Sequence, residues 1–167
     1  DLITEFLDFA KPRAPVRCVQ PARPLVEDIL GFCKPELESH RVEARIDDQA
    51  PDATLYADAR QLKQACLNLI INAIDAMPDG GHLTVGIAQE DDYTVISITD
   101  TGEGIAPDMM ERIFTPFVTT KASGTGLGLA KVFSIMDSHD GRIECVSDKG
   151  AGATFNLYIP AHGGDES

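Results

Sequence analysis

Residues 58–81 read DARQLKQACLNLIINAIDAMPDGG, and the fold turns on how that stretch divides. Asp58 stands where a helix N-cap belongs, because a short side-chain oxygen can accept the first free backbone amides. A long helical pattern follows from Ala59 to Met77, and Pro78-Asp79-Gly80-Gly81 stops it. On a wheel of about 100° per residue with Leu62 at zero, Cys66, Leu69, Ala73 and Met77 fall on one side, which becomes the core face. Asn68, Asn72 and Asp75 project from another face, beside Gln61 and Gln64. One helix therefore carries an apolar stripe and a stripe of carboxamides with one carboxylate.

Upstream, Leu2 to Ala10 reads as the last turns of an amphipathic helix, ended by Pro12 and Pro15, and marks a boundary. An extended piece near 16–19 precedes a helix over Pro24 to Ser39, with Leu25, Val26, Ile29, Leu30, Cys33 and Leu37 at helical spacing. Val42, Ala44 and Ile46 alternate, and Thr54 to Ala57 is short and extended; both predict strands. Downstream, His82 to Gln89 and Tyr93 to Thr99 form a hairpin about Glu90-Asp91-Asp92. A short helix near Pro107 to Ile113 leads to a loop from Thr115 to Gly124, whose small polar residues offer little burial and predict mobility. A helix from about Thr125 to Ser138 ends at His139-Asp140-Gly141. Strands at Arg142 to Ser147 and Ala153 to Ile159 flank the Gly150-Ala151-Gly152 turn. Helices mixed with hairpins predict an α+β fold, a two-layer α/β sandwich whose mixed, mostly antiparallel sheet packs on about three helices. Residues 13–161 form the domain, 1–12 the end of a preceding helix and 162–167 a polar tail.

Lys and Arg number 14 against 27 Asp and Glu, a net charge of −13, which repels phosphate backbones and argues against nucleic acid as a partner. A polyphosphate ligand would need Mg2+ and locally placed amide or cationic donors to overcome that field. The hydrophobic share is 43%, which suits a globular domain, and no apolar run approaches the roughly 20 residues of a membrane helix. The chain opens on Asp1 and reads as a piece of a longer protein, whose membrane anchor, if it has one, lies upstream. Cys18, Cys33, Cys66 and Cys145 are widely spaced, without a Cys-x-x-Cys pair, and read as reduced thiols of a cytoplasmic protein.

Three features carry chemistry. An Asn side-chain oxygen is a hard neutral ligand suited to Mg2+, so Asn72 is placed to hold a metal on phosphates; the same stripe also fits the solvated face of a surface helix. Asp100 ends a strand and meets Gly102 and Gly104, so its carboxylate can accept an exocyclic amine while the glycines let a ring approach the backbone; the same five residues also fit an ordinary turn. Gly124-Thr125-Gly126-Leu127-Gly128-Leu129 runs into a helix, whose free amides and positive dipole end suit phosphate. Its glycine spacing matches neither the Rossmann fingerprint nor the Walker sequence.

Taken in order, Asn68-x3-Asn72, Asp100-x-Gly102-x-Gly104, Phe114-x2-Phe117, Gly124 to Leu129 and Gly150-x-Gly152-x-Thr154 resemble the histidine kinase ATPase family. That family is a branch of the gyrase, heat-shock chaperone, histidine kinase and mismatch-repair superfamily with the Bergerat fold. The resemblance covers about residues 20 to 160. Asn72 to Met77 and Phe114-Thr-Pro-Phe-Val-Thr-Thr-Lys121 look like the nitrogen-regulatory type of sensor kinase. The resemblance implies that Asn72 ligates Mg2+, that Asn68 lies near the phosphates as a catalytic contact, and that Asp100 reads the adenine amine. Gly102, Gly104 and Ile105 shape the base pocket, with Thr154 supporting Asp100 from a neighbouring strand. Phe114 and Phe117 hinge an ATP lid carrying Thr119, Thr120 and Lys121. Gly124, Thr125, Gly126, Leu127, Gly128 and Leu129 line the phosphates. Many members carry Lys or Arg one turn after the metal-binding Asn; here Asp75 occupies that neighbourhood, and Lys121 is the candidate replacement cation.

None of His40, His82, His139 and His162 sits in the His-Glu/Asp-x-x-Asn-Pro pattern of a phosphoacceptor helix, and all four read as structural or surface residues. The resemblance implies that the acceptor histidine belongs to an upstream dimerisation domain, that the intact protein is a homodimer, and that a response regulator receives the phosphoryl group. Superfamily members that hydrolyse ATP place a Glu one turn before the metal Asn; here Asn68, which cannot act as a general base, stands there. A regulatory serine kinase or a nucleotide-sensing pseudokinase is the other reading.

Overall fold

The computed structural model describes residues 14–110, 112–114, 128–147 and 150–163. Its elements are β1 (Cys18–Pro21), α1 (Ala22–Ser39), β2 (Val42–Asp48), β3 (Thr54–Ala57), α2 (Ala59–Asp75), β4 (Gly81–Glu90), β5 (Tyr93–Asp100), α3 (Pro107–Met110), α4 (Gly128–Ser138), β6 (Arg142–Ser147) and β7 (Ala153–Pro160). Five strands form one sheet in the order β2-β4-β5-β7-β6, and β1 pairs with β3 in a second, two-stranded sheet. Among the described residues only β2 and β4 run parallel, and every other pairing is antiparallel. The α+β sandwich expected from sequence is the fold observed. The expected helix at Leu2 to Ala10 and the lid from Thr115 to Gly124 lie outside the described residues.

Alternation along the central strands sorts the two faces. Leu83, Val85 and Ile87 of β4, Ile96 and Ile98 of β5, and Phe155, Leu157 and Ile159 of β7 point inward and are buried. Against them pack Leu25, Val26, Ile29, Cys33 and Leu37 of α1, the Leu62-Cys66-Leu69-Ala73 stripe of α2, and Val132 and Met136 of α4. The outer face is polar. There Ser97 donates to Asn156 Oδ1 at 2.6 Å, and Arg142 lies 3.8 Å over the Tyr158 ring. At the parallel edge, Glu43, Arg45 and Asp47 of β2 are exposed. Thr54 and Thr94 tie the small sheet to the large one, through Thr54 Oγ1 to the Ala161 carbonyl and Thr94 Oγ1 to the Thr54 carbonyl, both at 2.7 Å.

Boundaries differ from expectation where local chemistry outweighs apolar period. α1 starts two residues early, its first amide bonded to the Ala53 carbonyl, and runs through Pro35, giving up one ladder bond while its buried face holds it. α2 ends at Asp75, yet Met77 beyond it is buried. α3 stops at Met110 rather than Ile113. After α4, Asp140 adopts φ 58 and the Gly141 amide returns to the Met136 carbonyl, closing the helix. Gly141 has no room for a side chain, because a Cβ there would stand 2.1 Å from the Tyr158 carbonyl oxygen.

Candidate functional site

Asp58 caps α2, its Oδ1 accepting the amides of Arg60 at 3.0 Å and Gln61 at 3.3 Å. That start fixes the helix phase and hence the carboxamide stripe. Asn68 and Asn72 are half-buried beside the core face and Asp75 is exposed. Asn68 Nδ2 donates to the Gly128 carbonyl at 3.4 Å, so the stripe meets the point where the glycine-rich segment enters α4. Leu129 packs against the core and anchors that end.

Asp100 continues the inward row Ile96, Ile98 and is 6% exposed. A carboxylate at the end of an apolar row must be satisfied locally: Oδ1 accepts the Gly102 amide at 2.8 Å, and the Ala153 amide also bonds the carboxylate. Burial nevertheless prevails and pushes the carboxyl above its ordinary range, the two amides opposing it. A carboxylate has about four lone-pair positions, so two amide bonds leave capacity for another donor.

Two glycine loops frame that carboxylate. A Cβ on Gly102 would stand 2.4 Å from the Ala76 carbonyl oxygen, so the loop after β5 lies against the end of α2; the Glu103 amide bonds the same oxygen at 3.2 Å. Gly152 has φ 80, and a Cβ there would meet the Asp100 carbonyl oxygen at 2.2 Å. The loops are joined by the Gly150 amide on the Glu103 carbonyl and by Ser147, whose Oγ accepts the Ile105 amide and donates to the Gly152 carbonyl, both at 2.8 Å. Cys145, on the same inner face, has its thiol pushed up to about 12, first by burial and then by the charge of Asp100. Phe114 packs against Phe155 with ring centroids 6.4 Å apart and against Phe133 at 6.0 Å, tying the 112–114 turn to β7 and α4.

The expected support of Asp100 by Thr154 is corrected by the register. Asp100 stands opposite Ala153, whereas Thr154 stands opposite Thr99 and bonds its hydroxyl at 3.0 Å. Period-two alternation therefore puts Thr154 on the outer face, and the neighbouring strand supports Asp100 through the Ala153 amide. Phe117, Thr119, Thr120, Lys121, Gly124, Thr125, Gly126 and Leu127 lie outside the described residues. Sequence reasoning missed Ser147, although the alternation Ile143-Cys145-Ser147 in the expected β6 already turns it inward. It missed the Ala76 carbonyl too, a backbone group with no sequence signature.

A family model described as histidine kinase-, DNA gyrase B-, and HSP90-like ATPase matches residues 57–163. The chain is 36% identical over 163 residues to the sensor histidine kinase ZraS of Escherichia coli, a match covering 96% of this chain and 35% of that protein. The first curated relatives are much longer: the chain spans between 22% and 35% of their length. The catalytic domain of the histidine kinase ThkA superimposes with a TM-score of 0.80 at 26% identity, covering 87% of this chain and 96% of that one. Full-length ShkA, solved in complex with AMPPNP, gives a TM-score of 0.84 at 28% identity, over 97% of this chain and 36% of that one.

Proposed function

The chain belongs to the histidine kinase-, DNA gyrase B- and HSP90-like ATPase family, and from that premise we propose that it is the Mg-ATP-binding catalytic domain of a sensor histidine kinase of the nitrogen-regulatory type. One observation carries the reading: the buried Asp100 carboxylate, framed by two interlocked glycine loops, shares a wall with the helix that bears Asn68 and Asn72. ZraS and ThkA, named sensor histidine kinase and histidine kinase, support the kinase branch of the family, and ShkA, solved with AMPPNP, supports nucleotide binding.

In this reading Asp100 accepts the adenine amine, and Gly102, Gly104 and Ile105 bound the base. Gly104, with φ 75, holds a backbone shape that favours glycine. The amides that open α4 at Gly128 and Leu129 face the phosphates with Asn68 beside them, and residues 124–127 are proposed as further phosphate contacts. Among the described residues no three His, Cys, Asp or Glu side chains gather closely enough to cage a metal. A Mg2+ ion fits here only with the Asn72 carboxamide and with phosphate and water oxygens, a donor set such an ion accepts. When bound it would neutralise charge on the transferring group. Lys121 is the cation proposed to replace the usual basic residue, offsetting Asp75.

Phosphoryl transfer asks a protein chiefly for alignment and charge stabilisation. The acceptor is a histidine on a separate dimerisation domain, and a response regulator receiver domain takes the phosphoryl group in turn. The domain works in the cytoplasm. Among the described residues no helix is long and apolar enough to cross a membrane.

Calorimetry of ATP binding to the wild type, Asp100→Asn and Asn72→Ala, with and without Mg2+, tests the assignment. Asp100→Asn should weaken binding by about tenfold to a hundredfold, the value of a hydrogen bond to a buried charge. Asn72→Ala should abolish the strengthening by Mg2+. Equal affinities throughout would refute the site. Joined to a dimerisation domain, the chain should yield an acid-labile, alkali-stable phosphohistidine; a phosphoserine, or hydrolysis without an acceptor, would overturn the kinase reading.

A further inference from the structure

Hydrogen bonds join α2 and α4 near either end of their contact. At one, Asn68 Nδ2 reaches the Gly128 carbonyl. At the other, the buried ring of His139, just past the end of α4, accepts the Asp58 amide at Nε2 (3.0 Å) and donates from Nδ1 to the Ile135 carbonyl (2.8 Å). α4 thus lies antiparallel along α2 from Asp58 to Asn68. Its 11 residues make a strut roughly 16 Å long, at about 1.5 Å per residue.

The chain entering the domain is seated on the His139 corner. The Val16 amide donates to Asp58 Oδ2 at 2.9 Å. The Arg17 guanidinium donates to the His139 carbonyl at 3.3 Å and to Asp140 Oδ2 at 3.0 Å, and lies 4.8 Å over the Tyr56 ring. Val16 is 83% exposed, so its side chain adds little burial and polar bonds set its place. Such bonds open at low cost. The hydrogen bonds of the segment reach different elements: that of Val16 the cap of α2, those of Arg17 the end of α4.

We infer that this corner is a docking site for the entering segment 14–17, and that its occupation is coupled to nucleotide at the far end of α4, the seated segment and the bound nucleotide favouring each other. The coupling rests on the proposed reading of the start of α4 as phosphate-facing. A ligand held by the Gly128 and Leu129 amides restrains α4 against α2 through Asn68. Tilting of α4 carries His139 and Asp140 away from Arg17, so the segment loses one of its hydrogen-bonded anchors and the Val16 amide opens more readily. A nucleotide that suppresses the tilt lowers the ordering cost of the segment, and by linkage the seated segment raises nucleotide affinity by the same factor.

Hydrogen exchange at residues 14–20, read with and without Mg-AMPPNP alongside calorimetry of the same ligand, tests the coupling in the wild type and in Arg17→Ala. The nucleotide should slow exchange of the Val16 amide by on the order of fivefold or more. Arg17→Ala should speed that exchange, leave core amides of α2 and β5 unchanged, and lose nucleotide affinity by a factor approaching the protection seen in the wild type. Tight nucleotide binding without change at Val16 overturns the coupling alone. So does an Arg17→Ala protein that exchanges faster yet binds as well as the wild type. Absence of binding in the wild type overturns the nucleotide reading, and the coupling with it.

Discussion

Asp100 sits at a conflict between stability and binding. Burial raises its carboxyl above the ordinary 3.8, so the native protein keeps this proton to a higher pH than the unfolded chain does. As pH rises through that window, the native state must ionise a buried group, which works against folding. Asp100→Asn retains an oxygen for the Gly102 amide and removes the charge, so at pH 7 its melting temperature should equal or exceed that of the wild type even as ATP affinity falls. A clearly lower melting temperature would show that the carboxylate has a structural role instead. Asp100 was legible through its company: Asp-x-Gly-x-Gly alone fits an ordinary turn, and the order of the motifs around it gave it a binding role. Thr154 was misread because sidedness depends on the pairing register of β5 and β7, which neither strand's own sequence states.

Among the elements, α2 was the most legible, since its apolar period, cap and stop all agree. Its contacts at either end were not, because they involve partners distant in the chain: His139 and Val16 at Asp58, Gly102 at Ala76. Asp58 combines these roles. Its carboxyl is pushed up by burial, but the amides of Val16, Gln61 and Arg60 outweigh this and hold it below its ordinary value. Removing a helix cap costs about 1 kcal/mol, with a range of roughly 0.5–2. Asp58→Ala should fall at the upper end, as measured by urea unfolding, because the Val16 bond goes with the cap. Asp58→Asn, which keeps one acceptor oxygen for the cap and sets an NH2 group where Oδ2 receives the Val16 amide, should recover the capping part of the loss and not the Val16 part. Failure of that rescue would place the effect in charge rather than in capping.

For the molecule as a whole, the buried His139 adds a pH response. Burial lowers its pKa below the ordinary 6.5; Arg17 lowers it too, while the Ile135 carbonyl, Asp58 and Asp140 oppose the shift. The unfolded chain therefore takes up this proton first. The stability from a neutral His139 is complete above about 6.5 and is lost as pH falls toward the native value. Urea midpoints between about pH 7.5 and 5.5 should decline for the wild type, and the part due to His139 should vanish in His139→Asn. The exposed His40, His82 and His162 are present in both proteins, so the difference isolates the buried ring. Equal slopes would show that the ring titrates alike folded and unfolded.

The outer strand β2 has a consequence of another kind. A sheet margin is a template on which a foreign strand can add, and this one carries Glu43, Arg45 and Asp47 in alternate, solvent-facing positions. A second copy pairing there antiparallel and centred on Arg45 would set arginine against arginine and both carboxylates against carboxylates. Self-recruitment into ribbons is thus disfavoured at the margin farthest from β6, however concentrated the protein becomes.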